Sequence, residues 1–336
     1  MSAALAPAQL LSVRRLKVYH PLPRPWPWSA PGFVKAVEDL HFNLNAGETL
    51  GIVGESGCGK STLARALAGL QPVTSGGITY GPHDLARLTR EAWRPLRREI
   101  QMVFQDPIAS LDPRMTIGES VGEPLFALHP ELSTQERQRK VREMLERVGL
   151  SAAHFNRYPH EFSGGQCQRA GIARALIVKP KILICDEPVS SLDVSVQAQI
   201  INLLRDLQRE QQLAMIFIAH DLAVVRHLSH RVLVMYLGRI VEQASTQELF
   251  GSPRHPYTRA LLASVPGNPL NLEASAEGEL PSPLEPPSGC VFRTRCPIAD
   301  THCADDVPHL RRLGRTHYAA CHYVQAQSAD HALGLT

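Results

Sequence analysis

A glycine-rich loop near the start of the chain constrains the fold more than any other feature of the sequence. The strand-like run TLGIV leads into GESGCGKS, and a run with helical spacing, STLARALAGL, follows. Glycines let the backbone curl so that successive N–H groups face one anion, and the following helix adds the positive end of its dipole. The segment matches the phosphate-binding motif G-x-x-x-x-G-K-S/T in full. The predicted phosphate cradle consists of Gly54, Glu55, Ser56, Gly57, Cys58, Gly59, Lys60, Ser61 and Thr62.

An acidic pair at the end of a second strand-like run supplies the groups that this loop lacks. The run KILICDEP places Asp186 and Glu187 at the carboxyl end of a strand, where open α/β sheets bind their ligands. We expect Lys60 to reach the β- and γ-phosphates of ATP, Ser61 and Asp186 to hold Mg²⁺, and Glu187 to polarise the attacking water. A strand that ends in a solvated acidic turn has the same pattern. The pair alone therefore does not distinguish a catalytic site from a structural turn.

Composition and charge are those of an ordinary folded domain. Of 336 residues, 44% are hydrophobic and 20% charged, and the net charge of +3 is too small to predict binding to nucleic acid. No apolar run approaches the roughly 20 residues that span a bilayer, and the first residues lack a signal-peptide pattern. We therefore expect a cytosolic protein that reaches a membrane only through a partner chain.

Alternating segments predict an α/β domain with a parallel sheet. Strand-like runs at residues 49–53, 182–185 and 215–219 alternate with helical spacing at residues 135–148 and 196–211.

Two proline-rich segments interrupt this alternation. The run PLPRPWPWSAP, residues 21–31, predicts a loop between two early strands, and residues 266–288 predict a linker or an irregular wrap. We therefore expect a main domain at residues 1–265 and a C-terminal extension at residues 266–336.

A third motif identifies the family. The run FSGGQCQ, residues 162–168, continues as RAGIARAL and resembles the LSGGQ signature of ABC ATPases and its following helix. Ser163, Gly164, Gly165 and Gln166 begin that helix, so they can present a hydroxyl, N–H groups and a positive dipole end to a phosphate. In the family, two ATPase domains meet head to tail, and each signature closes on the nucleotide of the other chain. The resemblance implies a second ATPase subunit, which we expect to be a different chain.

The other landmarks of the family follow in order. Gln105 in VFQDP matches the Q-loop, Asp193 in SSLD matches the D-loop, and His220 in FIAHD matches the switch histidine. The resemblance implies ATP hydrolysis with Glu187, His220 and Gln105 as catalytic groups, and Gln105 as a further contact to Mg²⁺. It also implies an ABC-type P-loop core with a small antiparallel β subdomain and a helical signature subdomain between residues 105 and 163.

One landmark departs from the family pattern. ABC ATPases stack adenine on an aromatic residue of the first strand, where this chain has LKVYH, with Tyr19 one position early and His20 in the expected place. Side chains alternate along a strand, so only one of the two faces the nucleotide. The sequence leaves the choice between them open.

The run GESGCGKSTLARALAGL resembles the oligopeptide and dipeptide importers, particularly their second ATPase subunit, and three further segments resemble the same group. These are QDPIASLDPRMTIG, HPYTRALLASVP and GCVFRTRCP. The resemblance implies uptake of peptides through two separate transmembrane permease subunits, served by an extracytoplasmic solute-binding protein, with this chain peripheral at the cytoplasmic face of a bacterial inner membrane. Nickel and other small-solute importers share these segments. A soluble ABC ATPase of translation or DNA repair is the rival class, but this chain has one P-loop and no heptad run.

Four cysteines cluster near the C-terminus: Cys290, Cys296, Cys303 and Cys321. The odd total of seven cysteines and the expected cytosolic setting argue against disulfides. Three alternatives remain: a 4Fe-4S iron–sulfur cluster, a Zn²⁺ site, or plain reduced cysteines. The spacing favours the cluster, because close C-x2-C pairs are absent and a proline follows Cys296. Mixed zinc ligation stays open through His302, His309, His317 and His322.

Overall fold

A computed structural model describes residues 8–22, 32–265 and 278–325. Most of the predicted proline-rich loop, residues 23–31, and the first half of the predicted linker, residues 266–277, lie outside this part of the chain. The described strands are β1 Gln9–Pro21, β2 Phe33–Asn45, β3 Thr49–Val53, β4 Ser75–Tyr80, β5 His83–Asp84, β6 Ile100–Val103, β7 Ile182–Asp186, β8 Ala214–Ile218, β9 Arg231–Tyr236, β10 Arg239–Ser245, β11 Arg311–Arg312 and β12 Tyr318–Ala319. The described α-helices are α1 Lys60–Leu67, α2 Arg90–Leu96, α3 Ile117–Leu128, α4 Thr134–Arg147, α5 Gly164–Leu176, α6 Val194–Gln211, α7 Leu222–Leu228, α8 Thr246–Gly251, α9 Pro256–Ala263 and α10 His302–Asp305.

The main sheet has the strand order β11-β12-β10-β9-β3-β8-β7-β6. Its strands β9, β3, β8, β7 and β6 are parallel, and every residue of β3, β7 and β8 is buried. Near-continuous apolar runs are typical of parallel strands that helices cover on both faces. The sequence-based prediction of a parallel α/β core is confirmed, with boundaries that differ by one or two residues.

A second sheet and a helical subdomain flank this core. The antiparallel sheet has the order β2-β1-β4-β5. Helices α3 and α4 lie between residues 105 and 163, and each begins with a capping box, at Thr116 and Ser133. In a capping box a hydroxyl and a glutamate satisfy backbone N–H groups that a helix start leaves free. The predicted antiparallel subdomain and helical subdomain are both confirmed.

The C-terminal extension continues the main sheet. Strand β12 pairs antiparallel with β10, with Ala319 opposite Glu242. Phe292 is fully buried, and its ring lies 5.3 Å from the rings of both Tyr236 and Tyr257. The extension therefore shares the hydrophobic core of the main domain, and the boundary at residue 265 remains a prediction.

A buried carboxylate ties the extension to the sheet. Glu242 of β10 has no exposed surface and accepts hydrogen bonds from the N–H groups of Arg254 and His255, at 2.7 and 2.8 Å. Its Oε1 also lies 2.5 Å from Nε2 of His317, which comes from the extension. Burial lowers the pKa of His255 to about 4, so its imidazole is neutral and its Nδ1 accepts from the N–H of Tyr257. One carboxylate therefore joins β10, the start of α9 and the extension.

The Glu242→Gln substitution should destabilise the protein by about 3 kcal/mol, because it leaves His317 without its buried anionic partner. Urea unfolding of the full chain measures the change. The control is Gln243→Ala, at the next, half-buried position of β10, which should cost about 1 kcal/mol or less. Equal losses for the two variants would contradict the role of the Glu242 carboxylate.

Candidate nucleotide site

The phosphate loop lies directly against backbone from both sheets. It joins the end of β3 at Val53 to the start of α1 at Lys60. A Cβ on Gly54 would lie 2.2 Å from the carbonyl oxygen of Met235, and a Cβ on Gly59 would lie 1.9 Å from that of Ala36. Real side chains do not tolerate such distances, so the two glycines are required by close backbone approach.

Lys60 is the buried cation of the site. Its side chain is 4% exposed, and its Nζ donates to the carbonyl oxygens of Gly54 and Glu55 at 2.8 and 2.9 Å. The same Nζ lies 3.9 Å from Oε1 of Glu187. The loop therefore holds the ammonium group in a fixed place at its centre, where a phosphate would meet it.

A hydroxyl and a carboxylate meet beside the lysine. Ser61 Oγ donates to Asp186 Oδ1 at 2.9 Å, which joins the first turn of α1 to the end of β7. Burial raises the pKa of Asp186, and the hydrogen bond from Ser61 opposes this effect. Hydroxyl and carboxylate oxygens are the donors that Mg²⁺ prefers, so these residues fit the predicted magnesium site.

Glu187 contacts two other predicted catalytic residues. Its Oε2 lies 3.3 Å from Nε2 of Gln105 and 3.4 Å from Nδ1 of His220. Its backbone has a positive φ of 45°, which is uncommon for a residue other than glycine. The Ser190 Oγ donates to the Glu187 carbonyl at 3.1 Å and helps to hold this conformation. The structure thus brings Gln105, Glu187 and His220 into contact.

The loop opens into a cavity of about 310 Å³. Val34 and Ala36 of β2 contribute to its wall. The predicted site residues that line it are His20, Ser56, Gly57, Gly59, Lys60, Ser61, Thr62, Gln105 and Glu187.

The structure separates the two candidates for the adenine contact. His20 lines the cavity, and its Nε2 lies 3.4 Å from Thr62 Oγ1. Tyr19 does not line it, and its hydroxyl donates instead to Glu38, which also pairs with Lys17 at 2.9 Å. Of the two, His20 is the residue that faces the cavity.

The signature residues do not line the cavity of their own chain. Ser163 is the N-cap of α5, where its Oγ accepts from the Gln166 N–H and its own N–H donates to the Gln166 side chain. Ser163 is exposed, and Asp193, the N-cap of α6, is exposed as well. Gly164 and Gly165 follow Ser163 in the first turn of α5. Ser163 and Asp193 are therefore accessible to a second molecule, and Gly164, Gly165 and Gln166 are half-buried.

The four cysteines of the extension converge. Burial raises the pKa of Cys290 and Cys321, and that of Cys296 to about 11, and neighbouring cysteines of the group raise each further. The Cys290 N–H donates to the Cys303 carbonyl at 2.8 Å. Backbone N–H groups also approach the sulfurs, from Phe292, Arg293, Ile298, Tyr323 and Val324. All four cysteines lie in the described part of the chain, where no three of their sulfurs lie within 4.8 Å of one another.

Three of the four histidines considered for mixed zinc ligation have other partners. His317 bonds to Glu242, as described above. Ligand atoms of His302, His322 and Asp306 lie within 4.8 Å of one another and form a separate group at the surface. Three of the four candidate histidines therefore have partners outside the cysteine set, and His309 lines a surface cavity together with Cys290.

Sequence reasoning missed the contact between the extension and the phosphate loop. Arg295 Nη1 lies 3.0 and 2.8 Å from the two carboxylate oxygens of Glu55, and the Tyr257 hydroxyl accepts from the Glu55 N–H at 2.9 Å. Tyr257 belongs to the segment HPYTRALLASVP, which carried the family resemblance, but nothing in its sequence indicated a contact 202 residues away.

Comparison with solved structures defines the class of protein. The dimeric ATP-binding cassette MJ0796, solved in a post-hydrolysis state with ADP and Pi, matches with a TM-score of 0.64 and 27% identity over 70% of this chain and 99% of that chain. CbiO1 of Clostridium perfringens, part of the transporter complex CbiONQ, matches with a TM-score of 0.62 and 29% identity over 73% of this chain and 92% of that chain. The fold is that of an ABC ATPase.

Comparison with sequences narrows the class. The family described as ABC transporter matches residues 37–190, and the oligopeptide/dipeptide transporter C-terminal region matches residues 241–303. The oligopeptide transport ATP-binding protein OppF of Salmonella typhimurium is 55% identical, over 93% of this chain and 95% of that protein. The di/tripeptide transport ATP-binding protein DppF of Pseudomonas aeruginosa is 49% identical, over 87% of this chain and 91% of that protein. The chain belongs to the ATP-binding proteins of the oligopeptide and dipeptide ABC transporter family.

None of the described helices is both long and apolar enough to cross a bilayer.

The Gly59→Ala substitution should abolish ATP binding and lower the free energy of unfolding by about 3 kcal/mol, because the new methyl group meets the Ala36 carbonyl at a residue with a φ of +104°. Gly57→Ala is the matched control, since a Cβ there meets nothing within 4 Å and carries only its left-handed backbone penalty of about 1 kcal/mol. Urea unfolding and equilibrium binding of a fluorescent ATP analogue measure the two effects. Equal destabilisation by both substitutions would show that close approach at Ala36 does not shape the loop.

Proposed function

We propose that this chain couples ATP hydrolysis to the import of dipeptides and oligopeptides as one ATPase subunit of an ABC importer. The observation that carries the proposal is the meeting of Gln105 and His220 on Glu187, at the edge of the phosphate-loop cavity. The printed functions of the relatives, oligopeptide and di/tripeptide transport, support peptides as the solute.

The catalytic roles follow from the positions of the side chains. Lys60 provides positive charge for the β- and γ-phosphates, and the N–H groups of the loop surround them. Ser61 and Asp186 would hold Mg²⁺, which neutralises charge on the phosphate oxygens when it is bound. The Glu187 carboxylate accepts a proton from the attacking water, which Gln105 and His220 orient. Gln105 and His220 are the exposed members of this set, and 58% of the His220 side chain is accessible.

A complete site needs a second chain. The exposed positions of Ser163 and Asp193 support a head-to-tail dimer. In this dimer the start of α5, with Ser163, Gly164, Gly165 and Gln166, meets a phosphate held by the partner. The dimeric state of the matching cassette MJ0796 with ADP and Pi supports the same arrangement. We propose that the partner is a different ATPase chain.

A second cavity, of about 1160 Å³, supports docking of a permease. It lies beside the helical subdomain, and Gln105 lines both this cavity and the phosphate-loop cavity. Exposed apolar side chains lie in and near it: Ile108 is 59% exposed and Phe126 is 73% exposed. Apolar surface of this kind marks an interaction site. We propose that one of two transmembrane permease subunits docks here, which would place the chain at the cytoplasmic face of the inner membrane, with a solute-binding protein on the other side.

The Glu187→Gln substitution should lower ATP turnover by about 100-fold or more, because the amide cannot accept the proton from water. ATP affinity should stay near that of the wild type, since Lys60 and the loop are unchanged. The measurement is ATPase rate and uptake of labelled peptide by the transporter assembled in proteoliposomes. Glu143→Gln, on the exposed surface of α4, is the matched control and should keep both activities. Peptide uptake at the wild-type rate by the Glu187→Gln transporter would exclude this proposal.

We further propose that Cys290, Cys296, Cys303 and Cys321 hold a 4Fe-4S cluster. Three of the four cysteines are buried and Cys296 is half-buried. Backbone N–H groups approach the sulfurs of Cys290, Cys296 and Cys321, as they do around cluster ligands. A tetrahedral Zn²⁺ with Zn–S bonds of about 2.3 Å would bring the sulfurs to about 3.8 Å from one another. No three of these sulfurs lie within 4.8 Å of one another, so a single Zn²⁺ would require them to move closer together.

Protein purified without oxygen should be brown and contain about four irons per chain. The Cys303→Ser variant should lose the colour and most of the iron, while Cys58→Ser, at a buried cysteine outside this set, should keep both. Metal analysis and visible absorption make the test. One zinc per chain in colourless protein would contradict the cluster and support a Zn²⁺ site. Absence of both metals would support plain reduced cysteines.

A further inference from the structure

The phosphate loop carries a carboxylate where a polyanion is to bind. Glu55 is the second residue of the loop, and 28% of its side chain is exposed. An unpaired carboxylate in this loop would repel phosphates bound to the loop.

Arg295 supplies the compensating charge from the far end of the chain. Its Nη1 contacts both carboxylate oxygens of Glu55, at 3.0 and 2.8 Å, and its side chain is 9% exposed. It also lies 3.4 Å from the Tyr236 hydroxyl and near the face of that ring. The guanidinium therefore has one fixed position.

The backbone of Glu55 is held as well. Its N–H donates to the hydroxyl of Tyr257, a fully buried residue of α9, at 2.9 Å. Phe292 packs against Tyr257 and Tyr236 and accepts a hydrogen bond from the Arg295 N–H at 3.0 Å. The same aromatic group thus fixes both the loop and the turn that carries Arg295.

We propose that Arg295 is a positioning residue for ATP binding, which neutralises Glu55 and holds the first turn of the phosphate loop in its binding conformation. The proposal rests on the nucleotide site described above, and it adds a residue that lies outside every motif of that site. Arg295 does not touch the nucleotide. It acts through Glu55, so its effect depends on the charge at position 55.

This dependence gives a sharp test in four variants of the full chain. Arg295→Met should weaken ATP binding about tenfold, because it leaves Glu55 unpaired beside the phosphates. Glu55→Gln should weaken it less, and Glu55→Gln/Arg295→Met should bind within about threefold of the wild type, because no lone charge remains. Arg293→Met, at a half-buried residue two positions away whose guanidinium bonds to Ser288, is the matched control and should bind as the wild type does.

Two further readouts separate charge compensation from simple loss of packing. The loss in Arg295→Met should shrink as salt is raised from 0.05 to about 0.5 M, since salt screens the repulsion. In the assembled transporter the KM for ATP should rise while kcat at saturating ATP is retained. Arg295→Lys, which keeps the charge, should recover most of the affinity.

The outcomes are distinct. Failure of the wild-type chain to bind ATP would contradict the nucleotide site itself, and with it the proposed function. Normal binding by the wild type together with equal affinities for Arg295→Met and Arg293→Met would overturn only the role of Arg295. If Arg295→Met does not fold, the uncharged double variant decides: a tenfold loss of affinity in that protein would overturn the proposal, and near-normal affinity would support it.

Discussion

Two backbone carbonyl groups, those of Met235 and Ala36, set the position of the phosphate loop. The loop has no room for side chains at Gly54 and Gly59 because it lies directly on these oxygens. One carbonyl belongs to the parallel sheet and the other to the antiparallel sheet, so the site exists only when the two sheets stand in their native relation. The cavity, with His20 on one wall and Glu187 on another, follows from that relation.

Local pattern was sufficient to predict most of the fold and of the site. The buried runs of β3, β7 and β8 and the helical spacing of α4 and α6 are short-range signals, and the motifs around Lys60 and Glu187 include their own strands. The choice between Tyr19 and His20 needed the pairing partners of β1, because which face is covered depends on the neighbouring elements. Contacts such as that between Arg295 and Glu55, 240 residues apart, have no local signature and require the folded chain.

Two ion pairs with low exposure join the C-terminal extension to distant segments of the chain. Glu242 with His317 fixes the extension to the sheet, and Arg295 with Glu55 fixes it to the phosphate loop. Removing one member of such a pair leaves an uncompensated charge, which costs more than the pair itself contributes. The extension is therefore coupled to the ATP site by electrostatics as well as by the aromatic packing around Phe292.

The way in which the main sheet ends has a consequence for the solubility of the chain. An open strand such as β10 offers unpaired N–H and C=O groups to any other strand that comes near. Here β12 covers β10, and the new edge, β11, consists of two exposed residues, both arginine. A short and positively charged edge repels its own copies and gives another chain too little backbone to pair with. By covering β10 in this way, the extension disfavours aggregation through pairing of exposed strand edges.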